Sequence, residues 1–296
     1  MASDSAQNYA TELQSLLIKT ADLDASRSLW QHMLGYAPIW QGRRGSALGA
    51  IFDVSNIRVE IYQFDRDVAA GAEKAEALEG VSESIYGLCF TAVDGLHNES
   101  AEAVLFHSDA DASVLSCRQI ELDLDRSRQI SILIRDSDLF AASTDGASAL
   151  ASNRAFASTF ASTFASTKEQ VTKIDHVVLQ THDTDAVKKI YGDTLGIRLA
   201  LEQDVPKWGG TMLFYRSAHM SIEIISNTKT DAARDQLWGV AFTCSDMDAV
   251  HARLASHGGA VGLSVSDIRD GRKPGTRVST IKGISIPTLL IGDSAV

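Results

Sequence analysis

The chain has 296 residues, 45% of them hydrophobic, and a formal net charge of −11. That length allows two ordinary domains or about four small modules. The acidic balance argues against nucleic acid or an anionic membrane surface as the main partner.

The opening residues are polar, with no apolar core of a secretory leader, and no run approaches membrane-spanning length. Cys89, Cys117 and Cys244 lack metal-ligand spacing and leave one cysteine unpaired, so core filling in a reduced cytoplasm fits best. Residues 1–12 read as a loose arm. Leu13 to Ile18 then reads as a strand and Asp24 to Leu34 as a helix stopped by Gly35. Ile51–Val54 and Ile57–Phe64 read as a hairpin turning at Ser55-Asn56.

The pattern recurs later. Ile174 to Leu179 reads as a strand, Asp183 to Leu195 as a helix ended by Gly196, and Met220 to Ile225 as a strand. Ser15 and Leu34 are as far apart as His176 and Leu195, and "Val59-Glu60-Ile61" matches "Ile222-Glu223-Ile224". The first copy keeps the glutamate and has Ser15 in place of the histidine. A second type of unit follows each: Ile85 to Thr91 parallels Leu237 to Thr243, and Ile132-Leu133-Ile134-Arg135 parallels Leu289-Leu290-Ile291-Gly292. In the later copy Asp246 caps a helix that Gly258-Gly259 ends; the span from Asp94 to Leu105 carries no convincing helix. Four units in tandem, as two pairs, follow. The domains expected are 13–137 and 171–296, joined by an Ala/Ser/Thr-rich, partly helical linker over 138–170 with Phe-Ala-Ser-Thr three times.

His176 and Glu223 each interrupt an apolar run, and side chains alternate faces along a strand. Burying an imidazole and a carboxylate is costly unless something pairs them. That partner is a divalent metal, a proton-transfer substrate, or the two groups themselves. His219 is a further candidate ligand if the last strand starts early. Trp208 either walls a cavity or belongs to the core or rim, where a single tryptophan is more often found. Arg277, with Lys273, is placed to receive an anionic group, or else lies on a solvated strand edge. Trp238 should face away from the cup if its strand is regular.

A duplicated βαβββ unit with "Ile174-Asp175-His176-Val177-Val178", "Tyr191-Gly192-Asp193-Thr194-Leu195-Gly196" and "Gly271-Arg272-Lys273-Pro274-Gly275-Thr276-Arg277-Val278" resembles the vicinal oxygen chelate superfamily. That group includes glyoxalase I, extradiol dioxygenases, methylmalonyl-CoA epimerase and the bleomycin resistance proteins. The resemblance implies an α+β fold in which four βαβββ units pair into two tandem curved-sheet domains. It implies ligands on the first and last strand of a unit: His176 and Glu223 in the third unit, but Gly239 and Leu289 in the fourth. In the first pair these places hold Ser15, Glu60, Gly87 and Ile132. The expectation is a degenerate first domain and a second that acts as a lyase, isomerase or dioxygenase on a small oxygenated metabolite. A divalent metal (Fe, Mn, Zn, Ni or Mg) at His176 and Glu223 would assist, with no organic cofactor; a homodimer is compatible. The competing expectation is a non-catalytic protein that sequesters a small molecule, of the bleomycin-resistance type.

Overall fold

The computed structural model describes residues 11–64, 83–92, 102–108, 114–123, 127–136, 167–206, 210–217, 220–227 and 234–293. The Phe-Ala-Ser-Thr segment, Trp208 and His219 lie outside them. Among the described residues no helix is long and apolar enough to cross a membrane.

The first half contains β1 (Thr11–Thr20), α1 (Leu23–Leu34), β2 (Trp40–Arg44), β3 (Ala47–Asp53), β4 (Arg58–Gln63), β5 (Glu83–Ala92), β6 (Glu102–Ser108), β7 (Val114–Glu121) and β8 (Ser131–Arg135). The strands order as β1-β4-β3-β2-β6-β7-β8-β5, and β5 pairs back to β1, so they form a closed barrel. Pairing of β2 with β6 (Gly42 opposite Ser108) closes one side. Ser55 takes a positive φ of 64° at the expected hairpin turn. The Asp22 side chain accepts from the Ala25 N–H to start α1, and Gly35, at φ 88°, ends it.

The second half repeats the plan with β9 (Val171–Thr181), β10 (Arg198–Val205), β11 (Gly210–Ser217), β12 (Met220–Ser226), β13 (Gln236–Cys244), β14 (Ser264–Val265), β15 (Arg269–Asp270), β16 (Thr276–Lys282) and β17 (Thr288–Asp293). Helix α2 (Thr184–Val187) begins at Asp183 and continues as a π turn over Lys188–Thr194, and α3 (Met247–His257) begins at Asp246. The α-helix ends at its cap Gly258, as expected, and a 3₁₀ turn runs on to Val261 before the left-handed Gly262. Among the described residues no pairing joins β10 to β14, so this sheet stays open along that side. The open edge is blunted: a bulge at Ala200 breaks the register of β10, which also carries exposed Glu202 and Asp204.

Alternation along the strands sorts the side chains into two environments. One face of each sheet contributes to a single apolar core: Leu16, Ile18, Leu88 and Phe90 from the first half, and Val177, Ile222, Val240 and Phe242 from the second. Trp30 of α1 meets Phe242 edge-on at 6.1 Å between ring centres. Polar contacts pin this junction. The Asn56 amide acts as a short extra strand, donating to the Ile174 carbonyl at 2.7 Å and accepting from the Ile174 N–H at 3.0 Å. Arg253 of α3 donates to the Glu169, His32 and Met33 carbonyls, capping the C-terminus of α1. The opposite faces line the inside of each half.

Candidate functional site

The insides of the two halves differ sharply. In the first barrel Glu60 is fully buried and receives both Arg135 nitrogens, at 2.6 and 2.9 Å. Tyr62 donates to the same carboxylate at 2.7 Å. Burial alone would raise the Glu60 pKa, but the Arg135 charge and hydrogen bonds, with Arg44 and Ser15, hold it down at about 2. Arg44 lies over the Tyr62 ring, 5.2 Å from its centre, and donates to Gln119 at 2.7 Å. Leu17, Ala47, Tyr62, Cys89 and Leu133 pack around this group. Side chains thus pack around Glu60, which is neutralised by a residue of the same chain.

The sequence pairing of Ile132 with Leu289 is off by one. Leu133 lies opposite Cys89 as Leu289 lies opposite Ala241, and Ile132 turns to the outer core. A one-residue slip exchanges the faces of a strand. The corrected register sets Arg135 where the second half has Ile291.

In the second half the corresponding space is a cavity of about 870 Å³, lined among others by Asp175, His176, Glu223, Leu289 and Ile291. His176 and Glu223 come together here, as the sequence suggested. Ser221 of β12 lies opposite His176 of β9, and Glu223 lies opposite Val178, so the two reach the cavity from adjacent strands. The His176 Nδ1 is 3.6 Å from the Glu223 Oε1, too long for a hydrogen bond, and 2.8 Å from the Asp175 Oδ2. Burial disfavours the imidazolium most strongly, yet the Asp175 hydrogen bond and the Glu223 and Asp175 charges outweigh it and raise the His176 pKa. The hydrogen bond from His176 lowers that of Asp175.

Asp175 shares the cavity with its chain neighbour because β9 bulges there. Ala241 of β13 lies opposite His176 and Phe242 opposite Ile174, leaving Asp175 over. Strict alternation hides this residue; the adjacent Asp-His pair within a strand was the available signal.

Lys273 lines the cavity, joined by Lys173, Arg216 and Arg272. Arg277 does not line it. Its neighbours Thr276 and Val278 do, while Arg277 makes a two-point ion pair with Asp248 of α3 at 2.6 and 2.8 Å. Trp238 sits at a second bulge, between Leu237 and Gly239, and is 43% exposed. At the two places the resemblance marks, the fourth unit has Leu289 and Gly239, where a Cβ would stand 2.8 Å from the Pro287 carbonyl oxygen.

The donor types at His176 and Glu223 suit a divalent ion, and Asp175 on Nδ1 would leave the His176 Nε2 to ligate it. Among the described residues no three His, Cys, Asp or Glu side chains are grouped to hold a metal.

Residues 175–280 match the family model described as Glyoxalase/Bleomycin resistance protein/Dioxygenase superfamily. Among solved structures, the Mn(II)-bound glyoxalase from Novosphingobium aromaticivorans is 15% identical, over 95% of this chain and 81% of that one, with a TM-score of 0.54. Methylmalonyl-CoA epimerase from Mycobacterium tuberculosis is 21% identical over 44% of this chain and 93% of its own, with a TM-score of 0.34. That from Streptomyces coelicolor is also 21% identical, over 43% and 98%, with a TM-score of 0.33. No curated protein sequence matches the chain. The class is that of paired βαβββ units with a curved sheet around each interior. The matched stretch lies in the second half, and the first half repeats its strand plan.

Proposed function

We propose that the second half is an isomerase or lyase that moves a proton next to a carbonyl on a small, anionic, oxygenated metabolite. One observation carries this reading. His176 and Glu223 stand 3.6 Å apart, not bonded to each other, on an open cavity, while the matching glutamate of the first half is locked to Arg135.

Glu223 is the base. Its carboxylate takes the proton from carbon, the C–H electron pair forms the new C=C bond, and the carbonyl π electrons move onto oxygen. The His176 imidazolium, favoured by its two acidic neighbours, gives a proton to that oxygen. Lys273, Arg272 and Arg216 offer the cations that hold the anionic group. Proton return to the same or a neighbouring carbon gives an epimer or an isomer.

The test is hydrogen–deuterium exchange in heavy water, followed by NMR, on small oxo- and hydroxy-acids such as pyruvate and lactate. Exchange above the buffer rate that is lost in Glu223→Gln and His176→Ala supports the reading. Saturable binding without any exchange assigns the cavity to sequestration instead.

A further inference from the structure

His176 would lose its defined orientation without its neighbour in sequence. An aspartate in a central strand is a poor local choice, since short acidic side chains do not suit a pleated, half-buried surface. The fold accommodates it with the bulge between His176 and Ile174, which sets it beside the ring. Its side chain is 45% exposed, so packing does not demand it.

A carboxylate can only accept, so the 2.8 Å contact between the Asp175 Oδ2 and the His176 Nδ1 requires the proton on Nδ1. Glu223, at 3.6 Å from the same nitrogen, is too distant to hold the ring. We propose that Asp175 is the positioning residue of this site: it fixes the plane of the imidazole and keeps a proton on Nδ1, so that Nε2 is the ring nitrogen offered to the guest. The catalytic consequence rests on the proton-transfer reading above; the ring geometry does not. Asp175 touches no reacting atom. It acts through His176, as an outer carboxylate orients an imidazole elsewhere.

The experiment reads the tautomer directly. Long-range ¹H–¹⁵N spectra of the full chain, at a pH where the His176 ring is neutral, should show the proton on Nδ1. Asp175→Ala should move it toward Nε2, the form a free imidazole prefers. Asp175→Asn, which keeps an acceptor oxygen, should retain Nδ1–H. Asp175→Ser replaces the alanine variant if that one misfolds. An alanine spectrum identical to the parent overturns the proposal. In the exchange assay Asp175→Ala should lower the rate by about 10–100-fold, as loss of an orienting partner does, and Asp175→Asn should recover most of it. An unchanged rate also overturns the proposal, whatever the tautomer does. If the parent shows no exchange at all, the proton-transfer reading fails and the spectra alone decide the role of Asp175.

Discussion

Arg135 and Ile291 occupy the same place in the two halves: each lies opposite the corresponding threonine, Thr91 or Thr243, on the neighbouring parallel strand. The arginine reaches Glu60; the isoleucine lines the cavity in which Glu223 stands. At this position one half carries a cation bonded to its glutamate and the other an apolar side chain on the cavity wall.

Introducing the plug into the second half tests that relationship. Ile291→Arg should place a guanidinium within reach of Glu223, as Arg135 is of Glu60. Proton exchange, or ligand binding by calorimetry, should fall by at least about tenfold, a loss of ~1.4 kcal/mol. Ile291 is half-buried at the cavity wall, so the thermal midpoint should move little. Retained exchange in a folded variant would show that Glu223 is not the working group.

Removing the plug from the first half should harm folding instead. Arg135→Met leaves the buried Glu60 carboxylate without its hydrogen-bonded ion-pair partner, and breaking such a pair costs about 3–5 kcal/mol. Adding Glu60→Gln should recover much of that, because the carboxylate that lost its partner is gone. Urea denaturation of the single and double variants measures the difference. Equal stability of Arg135→Met and the parent would mean that the pair contributes nothing net.

The same pair sets an acid limit. The Glu60 pKa falls from 4.5 in the reference state to about 2 in the folded chain, so the folded state binds this proton less readily. The stabilisation is complete above the unfolded value and is lost as the pH falls from about 4.5 toward 2. Acid unfolding followed by circular dichroism should show this loss in the parent. Glu60→Gln with Arg135→Met should flatten that part of the curve.

Arg253 should matter more than its partial exposure suggests. It donates to three backbone carbonyls, two of them at the end of α1 and one at Glu169. Arg253→Ala should cost about 1.5–3 kcal/mol, the range for hydrogen bonds to a charged group. Faster amide hydrogen exchange should appear at the end of α1 around Gly35. Unchanged protection there would show that the helix end does not depend on the cap.

The duplication was legible in the sequence because it is written in spacing: Leu34-Gly35 and Leu195-Gly196 close matching helices, and Glu60 and Glu223 sit in matching strands. Helix starts at Asp183 and Asp246 were also legible, since capping is a local property. What escaped depends on register. The bulge that turns Asp175 inward cannot be read from alternation, and the one-residue slip at Leu133 concealed that Arg135 faces Glu60. The partner of a buried glutamate lies far along the chain, and only the strand order brings it near. Arg277 shows the reverse failure: a basic residue beside a Gly-rich loop looked available, but Asp248 on α3 claims it.

The core shared by the outer faces of both sheets makes the halves unequal in how they register damage. Trp30 in one half leans on Phe242 in the other, so a defect in the plugged half travels as a shorter lifetime of the whole molecule. Variants there should surface as lower abundance at unchanged specific activity, whereas variants around the open hollow should leave abundance alone and change the chemistry.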